Sequence, residues 1–468
     1  MDIILNIMLL MAALFIFMIG CVVAMIPIVY IKDKLSSNSI HRNYPVLGHM
    51  RYILKELGVF LRSYFFAADR EELPFNRFQR DYVNSMADNR GGVIAFGSSY
   101  AGGISFANSP YPKLDEDVLH VKTVTFGPDT KYPYATDSYF NISGTSYGSM
   151  SGAAIEALSA GARIAGAWHN TGEGGFSPYH KKGGGDTVFQ IGTANYGVRN
   201  KDGSLSYNKL TELAKNPQIK MFEIKLSQGA KPGKGGILPG VKVTKTIAET
   251  RGIPVGEDSI SPNRRTDVSS PQELTELISR VKSATGKPVG IKFVLGRAED
   301  LDDMFEAFVR FDIWPSFITL DSADGGTGAA PAALMDHVGM TIDKSLPILM
   351  AHLKKFGLED KILVCTSGKL ITPAEIAWAL STGAVAVNSA RGPMFALGCI
   401  QALQCDKNTC PTGITTQNKR LEKGLKPQVK SVRVANYITN TKKQVGYIAH
   451  STGANCARSI DPERVNRK

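Results

Sequence analysis

From residue 138 onward, about eight short β-prone runs alternate with helical patterns, and this rhythm limits what the chain can become. The runs cover residues 138–143, 165–169, 188–191, 221–226, 289–294, 316–321, 362–366 and 384–388. Such alternation argues for βα units feeding a parallel sheet, and eight strands is the number that closes one. The expected fold class is α/β, a (β/α)8 barrel. Several intervening helices carry start signals. Ser270 caps, Pro271 takes the first helical position and Glu273 completes a capping box. Leu274, Leu277, Ile278 and Val281 then share a face, and Gly286 ends the helix. Thr372, Pro373 and Glu375 repeat that start.

Glycine-rich turns follow the runs: SGTSYGS (143–149), NTGEGG (170–175), QGAKPGKGGILPG (228–240), DSADGGTGAAP (321–331), CTSGK (365–369) and NSARGP (388–393). Barrels keep their active sites at the C-terminal strand ends, so these loops are expected to rim one mouth. The loops after the last two strands suit a phosphate, and they supply Ser367, Gly368, Ser389, Ala390 and Arg391. A phosphate-bearing cofactor is therefore expected. In the 228–240 loop, Lys231 and Lys234 could hold an anion, or could simply be solvated lysines on a surface loop. Lys292 sits inside the run VGIKFV. Pointing inward it needs a partner for its charge, such as a reduced flavin; pointing outward its stem packs on helices and its amine reaches water. Gln190, in VFQIG, poses the same question.

Residues 3–31 carry no charge, and Asn6 is their only strongly polar member. About 20 apolar residues cross a bilayer core, so a single membrane anchor is expected. Lys32 and Lys34 follow at once, which places the body of the protein in the cytoplasm by the positive-inside bias. Met50, Ile53, Leu54, Leu57, Phe60 and Leu61 fall at helical spacing, as on a helix lying against membrane or barrel. The net charge is +12, with much of the excess after Asn418, which reads as a basic tail with a solvated or membrane-proximal face. No nucleic-acid-binding motif accompanies it. The expected divisions are an anchor (1–31), a helical extension (32–135), the barrel (136–417) and the tail (418–468). Of six cysteines, Cys399, Cys405 and Cys410 cluster in GCIQALQCDKNTCP. Their spacing suits an iron–sulfur cluster better than zinc, with scattered buried thiols as the alternative.

Taken together, SGTSYGSMS, HNTGEGG, IKLSQGAKPGKGG, DGGTGAAP and FALGCIQALQCDKNTCPTGI resemble the FMN-binding synthase domain of glutamate synthase, in order, over residues 141–417. The whole chain looks like a short, membrane-anchored member of that family. The resemblance implies FMN, a 3Fe-4S cluster on Cys399, Cys405 and Cys410, and reduction of 2-iminoglutarate formed from 2-oxoglutarate and ammonia. It implies flavin contacts at Lys292, Gln190, Thr145, Ser146, Ser367, Gly368, Ser389, Ala390 and Arg391. It implies substrate contacts at Glu173, Gln228, Lys231 and Arg251, with Lys292, Glu173 and Lys231 catalytic. Electrons would come from an external donor: a ferredoxin, a flavoprotein subunit or a membrane quinone partner.

The sequence also departs from that pattern. It opens on Met1 and an apolar helix where the full-length enzyme carries its glutaminase domain, so no ammonia source within the chain is expected. The stretch beyond Ile414 is too short for the family's C-terminal β-helix. In the substrate loop the family's Glu-Gly-Gly-Gln becomes Lys234, Gly235, Gly236 and Ile237, which leaves the substrate open. The flavin loop reads SGK where a double glycine is usual. Two other readings stay open. One is 2-hydroxy-acid oxidation with His169 or His180, placed near the mouth, as base. The other is a non-catalytic electron relay or scaffold in a membrane complex.

Overall fold

The computed structural model describes residues 2–36, 39–66, 68–95, 97–98, 103–118 and 121–467. They fall into two units, Met1–Arg77 and Phe78–Lys468. The first begins with helix α1 (Asp2–Lys34), long and apolar enough to cross a membrane. After a short helical turn (Ser39–Asn43) comes α2 (Gly48–Leu61), whose Met50, Ile53, Leu54 and Leu57 are exposed.

The second unit is built on a closed parallel barrel of eight strands. They are β1 (Phe140–Ile142), β2 (Trp168–Asn170), β3 (Asp186–Ile191), β4 (Ile219–Lys225), β5 (Val289–Val294), β6 (Phe317–Asp321), β7 (Leu363–Ser367) and β8 (Ala386–Ser389). Each overlaps an expected run, shifted by at most a few residues at its ends. Closure is made by β8 on β1, with Val387 opposite Phe140 and Ser389 opposite Ile142. The β1–β2 ladder is thin, a single pair between Ile142 and His169. Asparagine side chains reinforce it: Trp168 donates its backbone N–H to Asn141 Oδ1 (3.1 Å) and its indole N–H to Asn388 Oδ1 (3.0 Å).

The barrel floor is apolar. Trp168, Val188, Met221, Phe317, Cys365 and Ala386 point inward from six strands, plugged from below by Phe126 and Tyr134 of an antiparallel hairpin (Val124–Phe126 with Tyr134–Thr136). Gly290 makes room in this layer, because a β-carbon there would lie 2.3 Å from the Phe317 ring.

Outside the barrel lie α3 (Gly152–Ile164), α4 (Pro271–Thr285), α5 (Pro373–Ser381), α6 (Arg391–Leu397) and α7 (Pro427–Thr452). Ser270 and Glu273 form the expected capping box on α4, which ends at Gly286 in the left-handed conformation. The basic C-terminal segment is not a solvated tail. Val434, Ala435, Tyr437, Ile438, Val445 and Ala449 give α7 a buried face against α3, α5 and α6. Two of its basic residues are tied inward. Arg433 donates to Ala396 O (2.8 Å), and Lys442 donates to Ser138 Oγ (2.9 Å), with burial pulling its pKa down to about 8. Nor is the segment before the barrel wholly helical: Ile104–Phe106 pairs antiparallel with Val465–Arg467, joining its backbone to the far end of the chain.

Candidate active site

Side chains on a strand alternate faces, so the residue two places beyond each floor residue points inward one layer higher. That layer is polar. Val188 is followed by Gln190, Met221 by Glu223, Phe317 by Thr319, Trp168 by Asn170 and Cys365 by Ser367. Glu223 organises it: Oε1 accepts from Asn170 Nδ2 (2.8 Å) and Gln190 Nε2 (2.6 Å), and Oε2 accepts from Thr319 Oγ1 (2.6 Å). Lys292 also points inward. Its Nζ lies 3.4 Å from Asp321 Oδ2. Burial alone would lower the ammonium pKa, but the Asp321 and Glu223 carboxylates outweigh it and hold the pKa above its ordinary value. Burial works on Asp321 in the opposite sense. There Lys292, the Ser367 hydroxyl (2.6 Å) and the Gly229 amide (3.0 Å) prevail and keep the carboxyl pKa low.

Above this layer opens a cleft of about 390 Å³ between the strand ends and their loops. Lys225, paired with Lys292 across β4 and β5, donates to Glu173 Oε2 (2.9 Å) and Gln228 Oε1 (2.5 Å). Lys231, on the 228–240 loop, donates to Ala329 O (3.1 Å). Burial pulls its pKa down, and Glu173 partly restores it. Arg251 is 3% exposed; Nη1 donates to Ser259 Oγ (3.0 Å) and Nη2 to Tyr147 O (3.1 Å). Its Nε has no partner among the described residues although it is buried. Burial would raise the Glu173 pKa, yet Lys225, Lys231 and Arg251 together lower it. Gly236 packs on this carboxylate so closely that a β-carbon would lie 2.3 Å from Oε1.

At the opposite wall stand the loops after β7 and β8. Gly368 has φ +119°, and a β-carbon there would lie 2.1 Å from Ser322 Cβ. Lys369, where a second glycine was expected, takes the left-handed conformation (φ 51°) and pairs with Asp324 at 3.2 Å. Arg391 Nη2 donates to Thr327 O (2.7 Å), while Nη1 lies 4.0 Å from Cys405 Sγ. The cysteine loop is pinned by Lys242, which is 1% exposed and donates to Cys405 O (3.0 Å) and Thr415 O (3.0 Å). Burial pushes the Cys399 thiol up to about 11. For Cys410 the same effect is outweighed by hydrogen bonds from Thr412 and Thr415, and its pKa falls below the ordinary value.

Every residue expected at the flavin or the substrate lines this cleft: Thr145, Ser146, Glu173, Gln190, Gln228, Lys231, Arg251, Lys292, Ser367, Gly368, Ser389, Ala390 and Arg391. Of the cysteines only Cys405 does. Ile237 lines it as well, whereas Lys234 is exposed and does not. His169 and His180 do not lie at the mouth. Both are fully buried, with Thr145 Oγ1 on His169 Nε2 (2.6 Å) and Ser177 Oγ on His180 Nδ1 (2.8 Å). Burial drives the His169 pKa down to about 3 and that of His180 well below normal. The 2-hydroxy-acid reading thereby loses both of its candidate bases. Sequence reading missed Glu223, Asp321, Lys225 and Lys242. For the first three the signal was present, as charged residues inside or ending apolar runs; Lys242 had none.

A family profile described as "Conserved region in glutamate synthase" matches residues 113–455. The chain is 38% identical to the glutamate synthase large subunit-like protein YerD of Bacillus subtilis (strain 168), across 97% of this chain and 95% of that one. It is 34% identical to the archaeal-type glutamate synthase (NADPH) of Thermotoga neapolitana, over 68% of this chain and 60% of that one. Among solved structures, a flavocytochrome b2 variant with benzoylformate superposes with a TM-score of 0.50 at 14% identity, covering 93% of this chain and 91% of its own. At that identity the likeness concerns the barrel fold alone. The match over most of its length means that the chain belongs to the glutamate synthase family and is an oxidoreductase of that type.

Proposed function

We propose that the protein is an FMN- and iron–sulfur-dependent oxidoreductase that reduces a 2-imino acid, 2-iminoglutarate from 2-oxoglutarate and ammonia, to the amino acid. The observation that carries this reading is the division of one cleft. Lys292, fixed by Asp321, stands at the barrel mouth, and Lys231, Arg251 and Glu173 gather on the loops above it. A dicarboxylate needs paired cations, and the buried unpartnered Nε of Arg251 is a donor left for it. Gln228, tied to Lys225, would bond its other polar end.

FMN, when bound, supplies the hydride chemistry. What supports its binding here is the donor set. Lys292 and Gln190 offer N–H groups near the barrel axis, with Thr145 and Ser146 beside them. Ser367, Gly368, Ser389, Ala390 and Arg391 offer amides and a guanidinium for a phosphate. The buried Lys292 ammonium would stabilise negative charge on the reduced ring. Glu173, kept charged by the cations around it, orients Lys225 through their 2.9 Å ion pair rather than taking protons. A 3Fe-4S cluster on Cys399, Cys405 and Cys410 fits the cations around that loop, Lys242 and Arg391, because a thiolate-rich cluster is anionic. Electrons would come from an external donor; the archaeal-type relatives carry NADPH in their names, and a ferredoxin, a flavoprotein subunit or a membrane quinone partner are the other candidates.

The protein is read as membrane-anchored through residues 1–31 with its body in the cytoplasm, a connecting segment over 32–135, the catalytic barrel over 136–417 and the closing helix beyond. The test uses the full chain in detergent. Flavin and iron spectra come first; then anaerobically reduced protein is mixed with 2-oxoglutarate and ammonium, and glutamate is counted. One glutamate per two electrons is expected, and Arg251→Lys should raise the KM for 2-oxoglutarate more than tenfold. No flavin after reconstitution sinks the reading. Bound flavin and iron without glutamate from ammonia or glutamine would favour the electron-relay alternative.

A further inference from the structure

Away from the cleft, three metal-ligating side chains converge where the apolar run of α1 ends. Asp33 is 2% exposed, His41 lies on the short helical turn and His49 on the first turn of α2. One ligand atom from each lies within 4.8 Å of the other two.

The two carboxylate oxygens have different surroundings. Oδ2 accepts from the Val46 amide (2.8 Å). His49 Nε2 lies 3.0 Å from both oxygens, and Oδ1 also stands 3.9 Å from His41 Nδ1. Around a tetrahedral ion with bonds of about 2.0 Å, ligand atoms stand roughly 3.3 Å apart, and the two observed distances bracket that value. The amide on Oδ2 is the kind of outer hydrogen bond that orients a ligating carboxylate.

A plain hydrogen bond from His49 to Asp33 accounts for one histidine only. The second imidazole lies against the first, with ring centroids 4.1 Å apart. Two imidazolium rings at that spacing repel each other. At 3.9 Å His41 Nδ1 is too far from Oδ1 for a hydrogen bond, and an ion shared by the carboxylate and both neutral rings would engage Nδ1 without ring–ring repulsion.

We propose that Asp33, His41 and His49 bind one divalent transition-metal ion of the zinc class, stapling the end of α1 to the start of α2. Two imidazoles and a carboxylate suit zinc, cobalt or nickel rather than calcium or magnesium, which prefer all-oxygen sites.

The experiment uses full-length protein in detergent, stripped with a chelator and titrated with Co²⁺ and then Zn²⁺. One equivalent of Co²⁺ should give ligand-field bands without a sulfur charge-transfer band, which separates this site from the cysteine loop. His41→Gln/His49→Gln should lose that equivalent, or bind it at least 100-fold more weakly, with flavin content and circular dichroism unchanged. A second measurement needs no variant: Zn²⁺ should slow modification of His41 and His49 by diethylpyrocarbonate, read by peptide mass spectrometry. Equal cobalt uptake by wild type and double variant, cobalt bound through sulfur alone, or modification rates unmoved by zinc would each overturn the site.

Discussion

Removing the Asp321 carboxylate leaves the Lys292 ammonium buried at the barrel mouth with Glu223 and the weaker Glu173 as its remaining counter-charges. Breaking a buried pair from one side costs about 3–5 kcal/mol. Asp321→Asn should therefore lower the urea midpoint sharply, and Lys292→Met/Asp321→Leu should recover part of that loss because no unpaired charge remains. Lys292→Met by itself should weaken flavin retention, measured by fluorescence of the released cofactor. The buried histidines set a different response. In the unfolded chain His169 takes a proton near its ordinary 6.5, but in the folded protein not until about 3. Between those values the unfolded state holds more protons, so stability falls as the pH is lowered through that window. Each such group contributes a slope of up to about 1.4 kcal/mol per pH unit. Chemical denaturation at pH 7 and pH 5 should show the fall, and His169→Gln should flatten it.

At the level of elements, a tight crossing joins α3 to α7. A β-carbon at Gly161 would stand 2.7 Å from Val434 Cβ, so the helices meet where one of them has no side chain. Overpacking of this kind costs roughly 1–3 kcal/mol. Gly161→Leu should lower the Tm, and Val434→Ala in the same chain should restore part of it. Ser270→Ala, which removes the cap of α4, should cost about 1 kcal/mol and leave the cleft unchanged. The strands were legible because buried parallel strands read as apolar runs, and the helices between them carry caps spelled out locally. The floor and polar layers were also written in the sequence, as the step from Met221 to Glu223 and from Phe317 to Thr319. They stay unread until the inward face of each strand is known, since a period of two does not say which face is which. Lys242 is the opposite case. Its partners, Cys405 O and Thr415 O, are backbone atoms far along the chain, and no pattern near residue 242 announces them. The basic C-terminal run misled because charge was counted without the apolar face between the charges.

For the molecule as a whole, the barrel unit begins at Phe78, and the helix Arg77–Ala87 holds to α7 through Asn440, which donates to Met86 O (2.9 Å). A chain starting near residue 72 should stay folded, keep its melting transition and lose its partition into detergent, checked by phase separation and calorimetry. The wall itself is sealed by its most distant members, residue 140 against residue 387 and residue 142 against residue 389. Arg391 and the cysteine loop follow that seam, and α7 and the strand at residues 465–467 come later still. On a ribosome, the wall proposed to hold the phosphate cannot exist until nearly all of the chain has emerged. Flavin is then captured after synthesis rather than during it, and nascent chains halted before residue 386 should carry none.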